Sequence, residues 1–216
     1  MKEIILKFKR MPGIYAITPE TENTKQLLEK IEFLLNFNVK IYQYRNKSSN
    51  LALQKQQAAA ISDLVKSKEG VFLVNDSVEL AKFSNADGVH LGENDVSIPY
   101  ARKKLSKSRF IGSSCYANLS MALKAYNSGA DYVAFGSFFQ SVTKPLAIKA
   151  NLKLIGQFKK RATLPVVAIG GISENNVEEV LSSGADLVAI SSALFNADNI
   201  GTSVSKINFV LEKFRK

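Results

Sequence analysis

The chain has 216 residues, of which 46% are hydrophobic and 22% are charged. This length and composition fit one large globular α/β domain and argue against a disordered chain. The 29 Lys and Arg residues outnumber the 19 Asp and Glu residues, which gives a net charge of +10. That surplus suits nucleic acids or phosphorylated small molecules. The basic residues are scattered over predicted helices without a dense run, which argues against nucleic-acid binding.

No apolar run is long enough to cross a bilayer, so we expect no membrane partner. Residues 1–10 lack the apolar core and the cleavage site of a secretory signal. Cys115 is the single cysteine, which excludes an internal disulfide and a cysteine-cluster metal site. We therefore expect a cytoplasmic protein.

Short apolar runs alternate with segments of helical periodicity after a lead segment, residues 1–12. The predicted strands are residues 13–18, 39–44, 71–75, 88–92, 110–114, 132–136, 166–170 and 187–191. The predicted helices are residues 24–36, 51–67, 77–84, 99–105, 119–127, 152–161, 175–182 and 204–214. The eightfold alternation predicts an α/β fold, a single (β/α)8 TIM barrel over residues 13–216, rather than an open doubly wound sheet.

A short motif recurs where three helices lead into strands. Asn85, Gly129 and Gly184 are each followed by Ala-Asp and then by an apolar strand. The Gly or Asn supplies the left-handed residue that ends a helix. We expect the Asp of each motif to have a structural role at the bottom of the barrel.

Two carboxylates follow neighbouring strands, Asp76 after the third and Asp95 after the fourth. Because the carboxyl ends of parallel strands share one edge, both acids are expected there, where two carboxylates can hold Mg²⁺. The alternatives are that Asp76 caps the following helix and that Asp95 simply lies in a loop. The second strand ends with Gln43, Arg45 and Lys47, which suit a pyrophosphate; a solvated basic turn is the alternative.

The later strand ends carry groups suited to a second phosphate. Gly170-Gly171 follows the seventh strand, and Ser191-Ser192 follows the eighth, where this fold commonly binds phosphate through backbone N–H groups. The loop after the sixth strand contains Ser141, Thr143 and Lys144. One metal and two phosphate-bearing substrates suggest that a diphosphate leaves one substrate while the second attacks.

Other residues are predicted to be structural. His90 is the only histidine, and its position inside the fourth strand favours a packed, hydrogen-bonded role. Cys115 has no predicted mouth histidine to activate it, so we interpret it as core packing.

Eight motifs along the chain resemble the thiamine-phosphate synthase family. They are YAIT, QYRNK, VND, NADGVHLGEND, IGSSCY, GADYVAFGSFFQSVTKP, PVVAIGGI and GADLVAISSALF. The resemblance implies two phosphorylated heterocyclic substrates, a pyrimidine diphosphate and a thiazole phosphate, joined with Mg²⁺ as cofactor and release of diphosphate. It implies a dissociative mechanism, in which the diphosphate departs before the thiazole nitrogen attacks.

The resemblance also assigns roles to residues. For the pyrimidine diphosphate it implies Gln43, Arg45, Lys47, Asn75, Ser114 and Lys144, with Ser114, Lys144 and Arg45 as catalytic residues. For the thiazole phosphate it implies Ser141, Thr143, Gly171, Ser191 and Ser192. For the metal it implies Asp76 and Asp95.

Two alternatives on the same barrel stay open. Tyr116 stands where many relatives carry His, and a sister branch that resembles aminothiazole tautomerase uses a mouth histidine and loses the diphosphate-binding residues. The Gln43-x-Arg45-x-Lys47 pattern favours the synthase over this branch. A non-catalytic regulatory relative is the second alternative. The sequence leaves open whether the chain forms a homodimer.

Overall fold

The computed structural model describes residues 13–140 and 149–214. Within these ranges, eight parallel strands pair in chain order and close into a barrel when β1 pairs with β8. The strands are β1 (Gly13–Ile17), β2 (Ile41–Tyr44), β3 (Val71–Asn75), β4 (Gly88–Leu91), β5 (Phe110–Tyr116), β6 (Tyr132–Phe135), β7 (Val166–Ile169) and β8 (Leu187–Ile190). The predicted (β/α)8 barrel is confirmed. The lead segment, residues 1–12, lies outside the described residues.

Helices follow every strand in the described part of the chain. They are α1 (Thr24–Asn36), α2 (Leu51–Ser67), α3 (Val78–Phe83), α4 (Ile98–Lys104), α5 (Leu119–Asn127), α6 (Lys153–Lys159), α7 (Val177–Ser182), α8 (Ser192–Phe195) and α9 (Ile200–Lys213). The predicted limits of α1, α2 and α5 are confirmed to the residue. Among the described helices, none is both long and apolar enough to cross a membrane.

Helix α8 was not predicted, and many other predicted limits differ from the structure by one or two residues; the differences at β5 and α9 have a clear local cause. Strand β5 continues to Tyr116 instead of ending at Ser114, because a β-bulge between these residues lets the strand go on pairing with β6. Helix α9 begins at Ile200 rather than at residue 204. Asn199 starts this helix early, since its side chain accepts a hydrogen bond from the Thr202 N–H at 2.9 Å.

The strands separate two apolar layers. The larger layer lies between the barrel and its helices, and the smaller fills the barrel interior. The buried members of the interior layer are Tyr15, Ile17, Leu73, Phe110, Tyr132, Ala134, Val167, Leu187 and Ala189. Gly112 makes room for the ring of Tyr132, because a Cβ at Gly112 would lie 2.0 Å from that ring. Tyr132 can therefore reach across the interior.

The repeated Ala-Asp motif forms a reciprocal clamp at the bottom of the barrel. The N–H of Asp131 donates to the Ile111 carbonyl at 2.8 Å, and its carboxylate accepts from the Ile111 N–H at 2.7 Å. Asp87 makes the same two bonds with Phe72, and Asp186 makes them with Val166. The residues that end the preceding helices, such as Gly129 with φ +88°, are left-handed. The predicted structural role of these aspartates is confirmed.

Candidate active site

A cavity of about 1990 Å³ opens at the carboxyl ends of the strands. The predicted site residues that line it are Gln43, Arg45, Asn75, Ser114, Gly171, Ser191 and Ser192. A hollow of about 300 Å³ adjoins it; Lys47 and Asp76 line this hollow, and Asn75 lines both spaces. The predicted residues Ser141, Thr143 and Lys144 lie outside the described residues. Most of the predicted site is therefore gathered at one rim.

Asp76 directs its carboxylate to a neighbouring cation rather than to a helix. Its backbone is left-handed, with φ +64°, and its N–H donates to the His90 carbonyl at 2.8 Å. Ser77 caps α3 instead, because its hydroxyl accepts from the Leu80 N–H at 3.1 Å. Lys47 Nζ lies 3.2 Å from Asp76 Oδ2. The alternative interpretation of Asp76 as the helix cap is thus wrong.

Asp95 completes a pair of acids with Asp76. Its carboxylate accepts a 2.6 Å hydrogen bond from the Gly92 N–H, and the Asp76 carboxyl lies near enough to act on its charge. Burial raises the pKa of Asp95 most, the hydrogen bond from the Gly92 N–H opposes this rise, the Asp76 carboxyl raises the pKa further, and Lys47 lowers it. A carboxyl whose charge is disfavoured by burial and by a neighbouring carboxylate is a natural position for a cation.

The donor set fits Mg²⁺ better than a transition metal. In the described part of the chain, no group of three or more His, Cys, Asp or Glu side chains could enclose a metal ion. Magnesium commonly takes only one or two protein carboxylates and fills its other positions with water and substrate phosphate oxygens. Asp76 and Asp95 therefore fit an ion that binds together with a phosphorylated ligand.

Arg45 forms the cationic edge of the large cavity. Its backbone N–H donates to Thr18 Oγ1 at 3.0 Å, which anchors the end of β2 to the end of β1. Its guanidinium donates to Glu20 Oε1 at 2.8 Å. Glu20 was missed by the sequence analysis, because it follows β1 in a loop whose sequence carries no phosphate-binding pattern. The predicted cationic edge therefore has a carboxylate partner.

The turn after β7 brings backbone groups to the opposite side of the cavity. Gly171 has φ +63°, and a Cβ there would lie 2.3 Å from the Gln140 carbonyl oxygen. Asn176 braces this turn: its Nδ2 donates to the Gly171 carbonyl at 2.9 Å, and its Oδ1 accepts from the Ser173 N–H at 2.9 Å. The N–H groups of Gly171 and Ser192 have no hydrogen-bond partner among the residues described. They are therefore available to an anion.

A buried polar chain crosses the floor of the cavity. It runs from Gln43 through Tyr15, Tyr132 and His90 to Ser114. The prediction that His90 is packed and hydrogen-bonded is confirmed, but its side chain also lines the cavity. Tyr15 and Tyr132 were not predicted as site residues. In the sequence, only their positions in β1 and β6, which place both side chains in the barrel interior, could have indicated them.

Cys115 takes no part in this polar chain. Its side chain is fully buried in the layer between the barrel and the helices. Burial raises the pKa of the Cys115 thiol to about 12, so the nucleophilic thiolate is not populated at neutral pH. The predicted packing role is confirmed.

Comparisons with known proteins point to one family. The family model for thiamine monophosphate synthase matches residues 14–194. A thiamine-phosphate synthase from Thiobacillus denitrificans is 43% identical over 196 residues, which cover 91% of this chain and 93% of that protein. A thiamine-phosphate synthase from Nitrosospira multiformis is 41% identical over 205 residues, covering 95% and 88% of the two chains.

A solved structure resembles the barrel over its full length. Thiamine phosphate pyrophosphorylase from Pyrococcus furiosus superposes with a TM-score of 0.84 at 30% identity. The match covers 97% of this chain and 100% of that chain. The similarity therefore extends to the whole fold.

Proposed function

The chain belongs to the thiamine monophosphate synthase family and is a transferase, and from this premise we propose the reaction that it catalyses. It joins 4-amino-2-methyl-5-(diphosphomethyl)pyrimidine to 4-methyl-5-(2-phosphoethyl)thiazole, and it releases diphosphate and thiamine phosphate. The observation that carries the proposal is the presence of two anion-binding edges on one rim. One edge has Arg45 and Lys47 beside an acid pair, and the other has the N–H groups of Gly171 and Ser192, which have no partner in the described part of the chain.

The first edge suits the pyrimidine diphosphate. Arg45, Lys47 and Asn75 supply charge-assisted and neutral donors to its phosphate oxygens. Asp76 and Asp95 would hold Mg²⁺, which when bound neutralises charge on the diphosphate. Lys144 is assigned to the same group by family resemblance. Gln43 and Ser114 on the cavity floor orient the pyrimidine ring.

The second edge suits the thiazole phosphate. Backbone N–H groups of Gly171 and Ser192 donate to its phosphate, and the hydroxyls of Ser191 and Ser192 add further donors. Asn176 keeps the Gly171 turn in its left-handed conformation through two hydrogen bonds. The family resemblance assigns Ser141 and Thr143 to the same phosphate.

The bond changes require little acid–base chemistry from the protein. The C–O bond to the diphosphate breaks, and its electron pair leaves with the diphosphate. The electron-rich aminopyrimidine stabilises the methylene cation, and the lone pair of the thiazole nitrogen then forms the new C–N bond. The protein holds both partners in line and stabilises the leaving charge. This role is consistent with a floor on which the only histidine is engaged by Tyr132 and Ser114.

The test is to incubate the purified chain with both phosphorylated heterocycles and Mg²⁺ and to detect thiamine phosphate by mass spectrometry. Reactions that lack one heterocycle serve as controls. We expect product only in the complete mixture, loss of product with a chelator, and recovery with excess Mg²⁺. The absence of thiamine phosphate from the complete mixture would refute the proposed reaction, and product formation indifferent to chelation would refute the metal role.

A further inference from the structure

The polar chain on the cavity floor is continuous at hydrogen-bond distances, and we name it the floor relay. Gln43 Nε2 lies 2.7 Å from the Tyr15 hydroxyl, which lies 2.9 Å from the Tyr132 hydroxyl. The Tyr132 hydroxyl lies 2.9 Å from His90 Nδ1. His90 Nε2 lies 2.8 Å from Ser114 Oγ. The floor relay therefore joins two residues that line the cavity from β2 and β5, Gln43 and Ser114.

The direction of the floor relay follows from counting its protons. Tyr15 and Tyr132 keep their hydroxyl protons, because burial raises the pKa of both phenols. The Gln43 amide donates to the Tyr15 oxygen, so Tyr15 must direct its own proton elsewhere. Among the described residues, its second hydrogen-bond partner is Tyr132. Tyr15 therefore donates to Tyr132.

The same count continues to His90. The Tyr132 oxygen accepts a hydrogen bond from Tyr15, and its own hydroxyl faces His90 Nδ1 at a distance suited to donation. An Nδ1 that accepts a hydrogen bond carries no proton, so the proton of the imidazole is on Nε2. The reverse direction would leave the proton of the fully buried Tyr15 hydroxyl without an acceptor, which is unfavourable.

We propose that the floor relay holds His90 as its Nε2–H tautomer and thereby presents Ser114 to the ligand as a hydrogen-bond donor. His90 Nε2–H donates to Ser114 Oγ, and the Ser114 proton is left for an acceptor in the cavity. At the other end, the Gln43 amide donates an N–H to Tyr15, so its carbonyl oxygen is left to accept a hydrogen bond from a ligand. Tyr15, Tyr132 and His90 are positioning residues that act through Gln43 and Ser114.

This polarity selects a chemical class of ligand. A flat heterocycle that has a ring nitrogen as acceptor and an amino group as donor matches a Ser114 donor and a Gln43 acceptor. The inference thus rests on the proposed function, whose aminopyrimidine substrate has both groups. Because the donor and acceptor are oriented before the ligand arrives, binding requires no reorganisation of the floor.

The tautomer can be read directly, because His90 is the only histidine of the chain. A long-range ¹H–¹⁵N correlation spectrum of the ¹⁵N-labelled full chain at pH 8 distinguishes the two tautomers and the imidazolium by the shifts of the two ring nitrogens. We expect a protonated Nε2 and an unprotonated Nδ1. A spectrum of the Nδ1–H tautomer or of the imidazolium would overturn the inference.

A matched pair of tyrosine variants tests the causal role of the floor relay. Tyr132→Phe removes the donor to Nδ1. Tyr42→Phe is the control, because Tyr42 is also a buried strand tyrosine but its hydroxyl donates to the Ile31 carbonyl, away from the relay. We expect both tautomers in Tyr132→Phe and a single Nε2–H tautomer in Tyr42→Phe. An unchanged single tautomer in Tyr132→Phe would contradict the proposal, and the wild-type spectrum remains decisive should this variant not fold.

Steady-state kinetics distinguish a positioning role of Tyr132 from a purely structural one. We expect Tyr132→Phe to lower kcat/KM for the pyrimidine substrate about tenfold, the effect of one weakened hydrogen bond, with the KM of the thiazole phosphate unchanged. A rise in both KM values would indicate a merely structural role. The spectrum needs no substrate, so an Nε2–H tautomer without thiamine phosphate formation would refute the proposed function alone. Product formation with the opposite tautomer would refute the relay alone.

Discussion

The guanidinium of Arg45 and the carboxylate of Glu20 lie 2.8 Å apart at the mouth of the cavity. The Arg45 side chain is mostly buried, whereas that of Glu20 is 47% exposed. A diphosphate that binds Arg45 must therefore compete with a carboxylate already in place. Ion pairs of this partly exposed kind contribute little, so the competition is weak and reversible.

Glu20→Gln removes this competitor, and we expect it to tighten the binding of inorganic diphosphate about two- to fivefold, as measured by calorimetry. Glu22→Gln is the matched control, because Glu22 is exposed two residues away and has no side-chain ion pair within the described ranges. Weaker diphosphate binding in Glu20→Gln would show that Glu20 holds Arg45 in its binding position instead.

Asp76→Asn removes one charge from the acid pair while preserving the shape of the side chain. We expect kcat to fall about 100-fold or more, because the proposed Mg²⁺ that stabilises the leaving diphosphate loses a carboxylate ligand. The thermal midpoint should change little, since Ser77 caps α3 without help from Asp76. Asp63→Asn, at an exposed position of α2, is the control. Turnover within about threefold of wild type would remove Asp76 from the site.

Gly171→Ala places a side chain on left-handed backbone beside the Gln140 carbonyl. We expect a loss of at least about 1 kcal/mol in the free energy of unfolding and a rise in KM for the thiazole phosphate. Gly156→Ala in α6 is the matched control, because a Cβ there meets nothing within 4 Å. That change should stabilise the helix by up to about 1 kcal/mol. Equal KM values for the two variants would argue against a phosphate at Gly171.

Cys115 should titrate only in the unfolded chain at moderately alkaline pH. Its pKa is raised to about 12 by burial, above the ordinary thiol value of about 8.5. The unfolded state therefore binds fewer protons between these two values, and stability falls as pH rises through this range. We expect Cys115→Val to show a shallower loss of stability than wild type between pH 8 and 10 in urea titrations. Rapid modification of the native thiol by a disulfide reagent at pH 8 would contradict this interpretation.

The sequence predicted the elements best where local signals agree. Helices α1, α2 and α5 each begin after an Asn whose side chain accepts from the backbone, and their limits were predicted correctly. The start of α9 was missed because Gly201 and two hydroxyl residues follow its Asn199 cap and hide the apolar periodicity. The continuation of β5 depends on a bulge, which alternation alone does not indicate.

The site was predictable in its strand ends but not in its cross-barrel contacts. Gln43, Arg45, Asn75 and Ser114 follow from the rule that polar residues at the carboxyl ends of barrel strands face one rim. The contact between Tyr15 and Tyr132 joins residues 117 positions apart. It depends on the space beside Gly112 and on how far each ring reaches, which are properties of packing rather than of sequence pattern.

The three aspartate clamps occur at only some of the neighbouring strand pairs of the described barrel. They join β3 to the residue before β4, β5 to the residue before β6, and β7 to the residue before β8. The residue before β2 is Lys40 instead, and its side chain donates to the Lys68 carbonyl. The clamps thus reinforce alternate strand pairs of a barrel whose ladder is otherwise continuous. New termini after α2, α4 or α6 would leave each clamp within one continuous segment, so we expect circularly permuted chains opened there to refold in higher yield than chains opened between β5 and β6, as measured by the recovered circular dichroism.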